Sequence, residues 1–405
     1  MDNIPYMTPP RWWEPRPSRV FLWLAGPYRR LRRRFWERLS RVEVQGLEHV
    51  RGALRQGCGV LVVCNHAAHS DPLVLLKASE LLRNYFYFIA NWQSFHLRPW
   101  IGQRVLQWHA CFSIDREGAD EAAYEQAVGV LRAGGHPLVV FAEGHVNHHY
   151  QRVAPFRAGA SLFAQAAARS EGRPVVWVPA AVTYRYKREP LPELSRLLSL
   201  MEEKLGWPPE SHLPLAGRVR RVGEGVLELR EKQYGGLAHP GPYGERAAAV
   251  FQAILGRLES DRGLNPGRLD VPGRVAQLRR RAVQQKALAP SDQAAVEDAE
   301  RQLRDLQVVA QLHSYRHDYD KDEATFEHLA EIVDKLEEDV LGAVTAATRG
   351  RRCAYLRFGP PVPVYPEGTE SPRRLTATMR DRVQELLDGL ISDYGPWKTF
   401  PWGGA

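Results

Sequence analysis

The first half of the chain alternates short apolar runs with stretches of helical patterning. The apolar runs are rich in β-branched and aromatic residues, as buried strands are, and cover residues 59–64, 85–91, 112–115, 137–144 and 175–184. The helical patterns cover residues 72–84, 121–134 and 158–170. An earlier segment, residues 42–50, has the pattern of a short strand and a turn. Strands alternating with helices predict an α/β domain with functional loops at strand ends.

Beyond about Lys187 the pattern changes to Pro- and Gly-rich connectors and two long polar helices, residues 291–312 and 322–344. Apolar residues three and four positions apart predict that these two helices pack on one another as a hairpin, without chemistry of their own. A last strand, 353–365, and a terminal helix, 376–394, follow. The predicted parts are a basic aromatic segment 1–41, a core 42–186, a mostly helical insertion 187–350, and a last strand with a C-terminal helix, 351–405, that completes the core.

The composition, with 405 residues of which 44% are hydrophobic and 25% charged, is that of a globular protein with a sizeable core. Cys58, Cys64, Cys111 and Cys353 show neither CxxC pairing nor metal-finger spacing, which indicates free thiols in a reducing compartment. No stretch reaches the ~18 apolar residues of a spanning helix, and the N-terminus lacks the pattern of a secretory signal. We therefore expect a soluble or membrane-surface protein of the cytoplasm.

The net charge of +8 is concentrated in residues 19–41, which contain eight arginines and one glutamate. Charges elsewhere nearly cancel, which argues against a nucleic-acid-binding surface. A basic helix with aromatic anchors is typical of an anionic membrane interface, and Trp12, Trp13, Trp23 and Trp36 are more than docking on the domain needs. We predict that residues 19–41 bind anionic lipids at the cytoplasmic face of a membrane. The alternative is a surface helix whose apolar face packs on the domain, and the two can hold together.

The first apolar run ends in a cluster of groups that can move protons. His66 follows the run, and Asp71 lies five residues later at the expected start of a helix, where Asp is a favoured N-cap and the following Pro72 a favoured first residue. A carboxylate in contact with an imidazole fixes its tautomer and favours its protonated form. The spacing therefore predicts that His66 is a general base assisted by Asp71.

Three further motifs follow in order: FSIDR at 112–116, FAEG at 141–144 with PFRAGA at 155–160, and VP at 178–179. Together with NHxxxxD at 65–71, this series resembles the glycerolipid acyltransferase family, the family of the 1-acylglycerol-3-phosphate (lysophosphatidic acid) acyltransferases. The resemblance spans residues 40–185, and LRFGPPVPV resembles the family's late strand. It implies a mixed sheet flanked by helices, with residues 187–350 as a mostly helical insertion before the last strand.

The resemblance also implies a reaction and a site. An acyl group would pass from a thioester of coenzyme A or acyl carrier protein to a hydroxyl of a lysophospholipid, with no covalent enzyme intermediate, no cofactor and no metal. His66 and Asp71 would be catalytic. Arg116 would hold a phosphate with Arg157 as a second contact, because Arg binds phosphate in a bidentate way. Glu143 would bind a glycerol hydroxyl or a cation, and backbone N–H groups around Gly144 are oxyanion donors.

The acceptor motifs differ from the usual pattern of that family. FAEGHVN stands where FPEGTRS is usual, and Ala110 and Ser113 stand where Gly and Phe are usual. A different lipid or a glycolipid is therefore a second acceptor class for the same reaction.

Three other functions remain to be compared with acyl transfer. His69, His145, His148 and His149 with the dyad have the chemistry of a metal site but no rigid ligand spacing, and loop histidines of this kind are more often polar surface. A non-catalytic membrane-surface scaffold has no chemical need for His66 and Asp71 together. Nucleic-acid binding rests on the overall pI alone.

Overall fold

The computed structural model describes residues 6–118, 120–169, 172–235, 240–265, 267, 269–315, 323–365, 370–395 and 398–401. The chain forms two compact units. The core unit comprises Arg11–Pro190 and Thr348–Pro396, and the helical unit comprises Met1–Pro10, Leu191–Ala347 and Trp397–Ala405. Residues 11–41 are thus part of the core unit, whereas the sequence pattern separates them from it.

The strands form one eight-stranded sheet in the core unit and one two-stranded sheet in the helical unit. They are β1 (Leu39–Gln45), β2 (Gly59–Cys64), β3 (Tyr87–Asn91), β4 (Cys111–Ile114), β5 (Leu138–Phe141), β6 (Val175–Tyr186), β7 (Glu323–Thr325), β8 (Arg352–Phe358), β9 (Val362–Pro363) and β10 (Thr399–Pro401). The large sheet has the order β1-β8-β6-β2-β5-β3-β4, with β9 on β6. Its pairs are parallel except β6–β8 and β6–β9. The predicted mixed α/β sheet is confirmed.

The helices of the core unit flank this sheet. They are α1 (Arg19–Leu24), α2 (Gly26–Leu31), a π-helix (Arg32–Trp36), α3 (Leu47–Arg55), α4 (Asp71–Leu82), α5 (Trp92–His96), α6 (Trp100–Trp108), α7 (Glu121–Ala133), α8 (Gly159–Ala168) and, after the helical unit, α15 (Pro372–Tyr394). Strand β2 is buried along its whole length, with Val60 and Val62 in one hydrophobic cluster and Leu61 and Val63 in another. Both faces of the sheet are therefore covered, which explains the continuous apolar run.

The helical unit is inserted between β6 and β8 in the chain. Its helices are α9 (Leu191–Lys204), α10 (Leu215–Tyr234), α11 (Tyr243–Ser260), α12 (Val271–Leu288), α13 (Gln293–Tyr315) and α14 (Phe326–Leu341). The predicted hairpin of α13 and α14 is wrong. Helix α13 packs along α11 and α12, and α14 packs along α9 and α10. Contacts between the two helices include those of Lys335 with Ser314 and Tyr315 and of Gln311 with Asp339.

Two predictions about local structure in the core unit are corrected. The turn predicted within 42–50 begins helix α3, whose Leu47, Val50 and Ala53 are buried. The N-cap of α4 is Ser70, so Asp71 is the first helical residue and Pro72 the second.

The basic segment 19–41 is three short helices followed by β1 instead of one continuous helix. Its orientation is opposite to that of an ordinary amphipathic helix. Arg29 and Arg33 face inward, 6% exposed each, and both bind the carboxylate of Glu80 on α4 at 2.9 Å. Trp23, Phe35 and other apolar side chains face outward. Two arginines therefore pack on the domain, while these apolar side chains and the remaining arginines of the three helices are exposed in the core unit.

Nowhere in the described part of the chain does a helix have both the length and the apolarity required to cross a bilayer.

Candidate active site

The first motif follows directly after β2, a central strand, and so lies where the central strands of the sheet end. Asn65, directly after the strand, is fully buried and joins the backbone of Val182 on β6, accepting its N–H at 2.8 Å and donating to its carbonyl at 3.0 Å. These two bonds fix the backbone immediately before His66. Asn65 is thus a structural clamp, because a buried amide with both ends satisfied holds two segments in register.

His66 and Asp71 are in direct contact, as the spacing predicts. The distance from Nδ1 of His66 to Oδ2 of Asp71 is 2.9 Å. The imidazole stacks on Phe141 with ring centroids 4.1 Å apart, and the His66 side chain is 15% exposed while Asp71 is fully buried. An Nδ1–H donated to the carboxylate leaves Nε2 as the basic nitrogen at the partly open side. The geometry is therefore that of an oriented general base.

Asp71 is held by more than the imidazole. Its Oδ2 also accepts the backbone N–H of Ala68 at 3.0 Å, and its Oδ1 accepts the hydroxyl of Tyr184 at 2.5 Å. Burial, together with the negative charge of Asp71, raises the pKa of Tyr184, so this phenol keeps its proton and donates it. Three donors satisfy a carboxylate that is completely removed from water.

Glu143 lies beside the dyad but is directed into the protein. It is 2% exposed, and its carboxylate accepts the backbone N–H groups of His66 and Ala154 and the side-chain amide of Asn147. Burial raises its pKa to about 8, against these hydrogen bonds and with a small contribution from the charge of Asp71. The carboxylate ties the loop after β5 to the His66 loop, while its predicted contact with a glycerol hydroxyl or a cation stays a prediction.

Arg116, Gly144 and Arg157 come together next to Glu143. A guanidinium N–H of Arg116 donates to the carbonyl of Gly144, and Nη1 of Arg157 donates to the carbonyl of Arg116 at 3.2 Å. Gly144 has φ +80°, and a Cβ there would lie 2.6 Å from Nε of Arg157. The two arginines predicted to bind phosphate thus form one half-buried basic cluster, and only glycine fits between them.

That backbone N–H groups around Gly144 stabilise an oxyanion stays a prediction, but the N–H of Gly144 itself is already bonded. That N–H bonds to the carbonyl of Phe141 at 3.0 Å and closes the turn after β5. A group already used in a turn is not directed at a reacting atom.

Two unusual residues of the second motif have structural consequences. Ser113 accepts the backbone N–H of Trp13 at 2.9 Å through its hydroxyl and donates its own backbone N–H to the Trp13 carbonyl at 3.0 Å. Trp13 is 4% exposed and stacks on Phe95, so this tryptophan belongs to the core instead of a membrane surface. Ala110 has φ +59°, a conformation in which glycine is favoured.

The loop histidines are less exposed than the sequence suggests. His148 and His149 are buried, at 4% and 6% exposure, so the expectation of polar surface residues is wrong for these two. The rings of His69 and His148 lie 5.5 Å apart, and Nε2 of His149 is 2.9 Å from a guanidinium nitrogen of Arg152.

Sequence analysis missed Tyr184, Asn65 as a clamp, and Arg352, which lies under Tyr184. Tyr184 and Arg352 are 113 and 281 residues from Asp71 in the chain, so no local spacing connects them with the dyad. The one signal in the sequence is the alternation of side chains along β6, which places Val182 and Tyr184 on the same face of the sheet.

The large sheet with its flanking helices is that of an α/β domain, and a His–Asp contact lies where its central strand ends. Residues 41–183 match the family model described as Acyltransferase, a segment that includes every predicted site residue. None of the curated proteins compared with the chain gives a significant match. The family match supports acyl transfer as the general chemistry of this segment, and residues 187–350 lie outside it.

Proposed function

We propose that the protein is an acyltransferase that moves a fatty acyl group from an acyl thioester to a hydroxyl of a lysophospholipid such as 1-acylglycerol-3-phosphate. The contact between His66 and Asp71, inside the segment that matches the acyltransferase model, carries this proposal. The thioester is that of coenzyme A or acyl carrier protein. The reaction requires neither a cofactor nor a metal.

In the proposed mechanism, Nε2 of His66 takes the proton of the acceptor hydroxyl as its oxygen attacks the thioester carbonyl carbon. Asp71 orients the imidazole and stabilises the imidazolium that forms. The tetrahedral intermediate then collapses, the C–S bond breaks, and the imidazolium returns the proton to the leaving thiolate. The products are an ester and a free thiol, and the enzyme forms no covalent bond.

The basic cluster of Arg116 and Arg157 is the proposed site for the acceptor phosphate. Both guanidinium groups lie at Gly144, next to Glu143 and therefore next to the backbone of the base. An acceptor phosphate here would bring a glycerol hydroxyl towards His66. Because FAEGHVN differs from the usual motif, a different lipid or a glycolipid acceptor is the second candidate substrate class.

We further propose that the core unit binds anionic lipid at the cytoplasmic face of a membrane through the outward face of residues 20–36. The apolar members of this face are at least half exposed: Val20, Trp23, Leu24, Tyr28, Leu31, Phe35 and Trp36. Arg30 and Arg34 are exposed beside them. Because Arg29 and Arg33 hold the inner face on Glu80, the apolar side chains cannot turn inward together. Exposed aromatic residues interleaved with arginines suit an anionic bilayer surface.

Transfer of a radiolabelled acyl group into lipid extract tests the reaction, with His66→Ala compared with wild type and with His49→Ala as a histidine control on helix α3. We expect a labelled lipid in wild type and in the control, and a loss of ~10²–10⁴-fold in His66→Ala. Equal labelling in all three proteins would remove His66 as the base. No transfer with any donor would favour the scaffold alternative.

Flotation with lipid vesicles tests the membrane surface. Wild type should float with phosphatidylcholine vesicles containing phosphatidylglycerol and less with phosphatidylcholine alone. A variant with Trp23, Phe35 and Trp36 changed to Ser should stay in solution, whereas Leu288→Ser, which changes an 85% exposed leucine in the helical unit, should float like wild type. Flotation of the triple variant at the wild-type level would contradict the proposed surface.

A further inference from the structure

The carboxylate of Asp71 has a second partner besides His66, on its other oxygen. Oδ2 receives His66 and the backbone of Ala68, whereas Oδ1 receives the hydroxyl of Tyr184 at 2.5 Å. Tyr184 is fully buried on β6 and is not exposed to a substrate. The dyad is therefore a chain of three side chains, His66–Asp71–Tyr184, of which only the first is partly open.

Beneath Tyr184 lies a buried cation. The guanidinium of Arg352, on β8, is 4.9 Å from the centre of the Tyr184 ring, and the residue is 4% exposed. It donates to the hydroxyl of Tyr150 at 3.0 Å and to Oγ of Ser70 at 3.2 Å. No carboxylate of the described residues forms an ion pair with it. Tyr184 therefore has the guanidinium of Arg352 over the face of its ring and the carboxylate of Asp71 at its hydroxyl.

This arrangement has an electrostatic consequence for Asp71. A cation over the face of a phenol ring is attracted by the ring electrons and makes the hydroxyl a stronger donor. A stronger donor on Oδ1 makes a stronger hydrogen bond to a carboxylate that has no contact with water and holds it more firmly in place. Removal of the cation or of the hydroxyl leaves the buried charge with less compensation.

The first turn of α4, which carries Asp71, is held from a third direction. The hydroxyl of Ser70 donates to Glu37 at 2.8 Å and accepts from Arg352. Strand β6, strand β8 and the segment before β1 thus converge on two consecutive residues, Ser70 and Asp71. These contacts fix the start of α4 and with it the position of the carboxylate.

We propose that Tyr184 and Arg352 are positioning residues of the transfer reaction, which hold the carboxylate of Asp71 in the orientation in which His66 presents Nε2 to the acceptor. The inference rests on the proposed function, because it concerns the efficiency of the same base. Both residues are buried, so we expect KM for donor and acceptor to be unaffected by their substitution.

Steady-state kinetics of Tyr184→Phe test the role of the hydroxyl. We expect kcat to fall about tenfold, with KM for donor and acceptor within twofold of wild type. The carboxylate that has lost a donor attracts the imidazolium proton more strongly, so the pH at half-maximal rate should rise. The other titratable groups around the pair, Glu143, Cys64 and Tyr150, are unchanged in this variant.

Tyr355→Phe is the matched control. It removes a tyrosine hydroxyl from the same sheet, on β8, but Tyr355 pairs with Thr183 and its side chain stacks on Tyr394, on the opposite face from Tyr184. Its kcat and its pH profile should equal those of wild type. A Tyr184→Phe enzyme with wild-type kcat and an unmoved profile would overturn the proposal, as would a loss confined to KM.

Arg352→Lys and Arg352→Met separate charge from packing. Lys keeps the cation near the ring and should retain more kcat than Met, whose rate should be no higher than that of Tyr184→Phe. Equal rates for Arg352→Lys and Arg352→Met would overturn the electrostatic role. If Arg352→Met does not fold, the rates of Tyr184→Phe and Arg352→Lys still test the proposal. Because His66→Ala is measured beside them, undiminished transfer there would refute the proposed function itself, whereas its loss with normal Tyr184→Phe rates refutes only this inference.

Discussion

Glu80 is the carboxylate that attaches the basic N-terminal segment to the core unit, and Glu80→Gln is predicted to loosen that segment. In the structure its two oxygens bind Nε of Arg29 and Nη2 of Arg33, both at 2.9 Å. The arginine side chains are 7% and 8% exposed, and the glutamate side chain is 23% exposed. The substitution keeps the shape but removes the charge, and leaves two arginines without a counterion in a largely dry site.

The free-energy cost of Glu80→Gln follows from the burial of the ion pair. Removal of one partner of a buried ion pair costs about 3–5 kcal/mol. The partial exposure of Glu80, and the bond from Arg29 to the Leu22 carbonyl at 2.8 Å, put the expected cost at the lower end, about 3 kcal/mol. At about 1.4 kcal/mol per factor of ten, this is roughly a 100-fold change in the opening equilibrium of helix α2 and the π-helix.

Hydrogen–deuterium exchange of the amides in residues 26–36 measures that opening directly. We expect exchange there to be about 100-fold faster in Glu80→Gln than in wild type. Glu14→Gln is the matched control, because it breaks an exposed ion pair with Arg16 in the same unit. Exposed pairs contribute at most about 1 kcal/mol, so its exchange should change less than about fivefold.

The pH dependence gives an independent check. Burial opposes ionisation, but hydrogen bonds from Arg33 and Arg29 and their charges exceed it and lower the pKa of Glu80. The stabilisation is therefore complete at neutral pH and is lost as the pH falls below the ordinary carboxyl range. Indistinguishable exchange in Glu80→Gln and Glu14→Gln at neutral pH would refute this account of how the segment is held.

Two further predictions concern the loop after β5. Burial raises the pKa of Glu143 to about 8. As the pH rises from the ordinary carboxyl range towards 8, wild type should therefore lose stability relative to Glu143→Gln, by at most about 1.4 kcal/mol per pH unit. The same difference in melting temperature between the two proteins at pH 5 and at pH 9 would contradict this. Gly144→Ala forces a left-handed φ on alanine and drives Cβ against Arg157, so we expect a cost of about 1–3 kcal/mol and a reduced transfer rate. Gly129→Ala, in helix α7 with open space at its Cβ, should be neutral or stabilising, and equal effects of the two substitutions would refute the steric argument.

The fold of the core was predictable where the local pattern is strong. Strand β2 has the predicted bounds, 59–64, because a run buried on both faces has no polar interruption. Helix α3 was not predicted, because it has only nine residues and begins directly after Gly46. A glycine in this place reads as a turn in the sequence, and Gly46 indeed has φ +69°. Helices α9 to α12 were also missed, because their many charged residues and the Pro- and Gly-rich connectors weaken the apolar period.

The packing partner of a helix could not be predicted from the spacing of its apolar residues. The apolar faces of α13 and α14 indicate burial but do not specify against which helix, and each packs on other helices. Of the arginines in residues 19–41, Arg29 and Arg33 face inward because they bind Glu80, which is 51 residues from Arg29 in the chain. A helical pattern alone assigns the inner face to the apolar side chains, and here a distant ion pair reverses it.

The site was predictable where its residues follow single strands. His66, Gly144 and Arg116 come together because they follow β2, β5 and β4, which with β3 are successive parallel strands of one sheet. Arg157 joins them because the loop after β5 turns back and bonds to Ala142. Tyr184 and Arg352 come from strands with large sequence separations from the dyad, so only the sheet order shows that they lie beneath Asp71. The hydrogen-bond partners of Glu143 depend on the burial of its side chain, which cannot be read from the FAEG motif.

The most direct test of the central claim is the rate of acyl transfer with a defined donor and acceptor, acyl-coenzyme A and 1-acylglycerol-3-phosphate, in wild type and Asp71→Asn. We expect formation of a diacyl product by wild type and a loss of at least about 100-fold in Asp71→Asn, because the amide neither stabilises the imidazolium nor fixes the tautomer of His66. Wild-type turnover in Asp71→Asn would contradict the claim that the His66–Asp71 pair is the catalytic base.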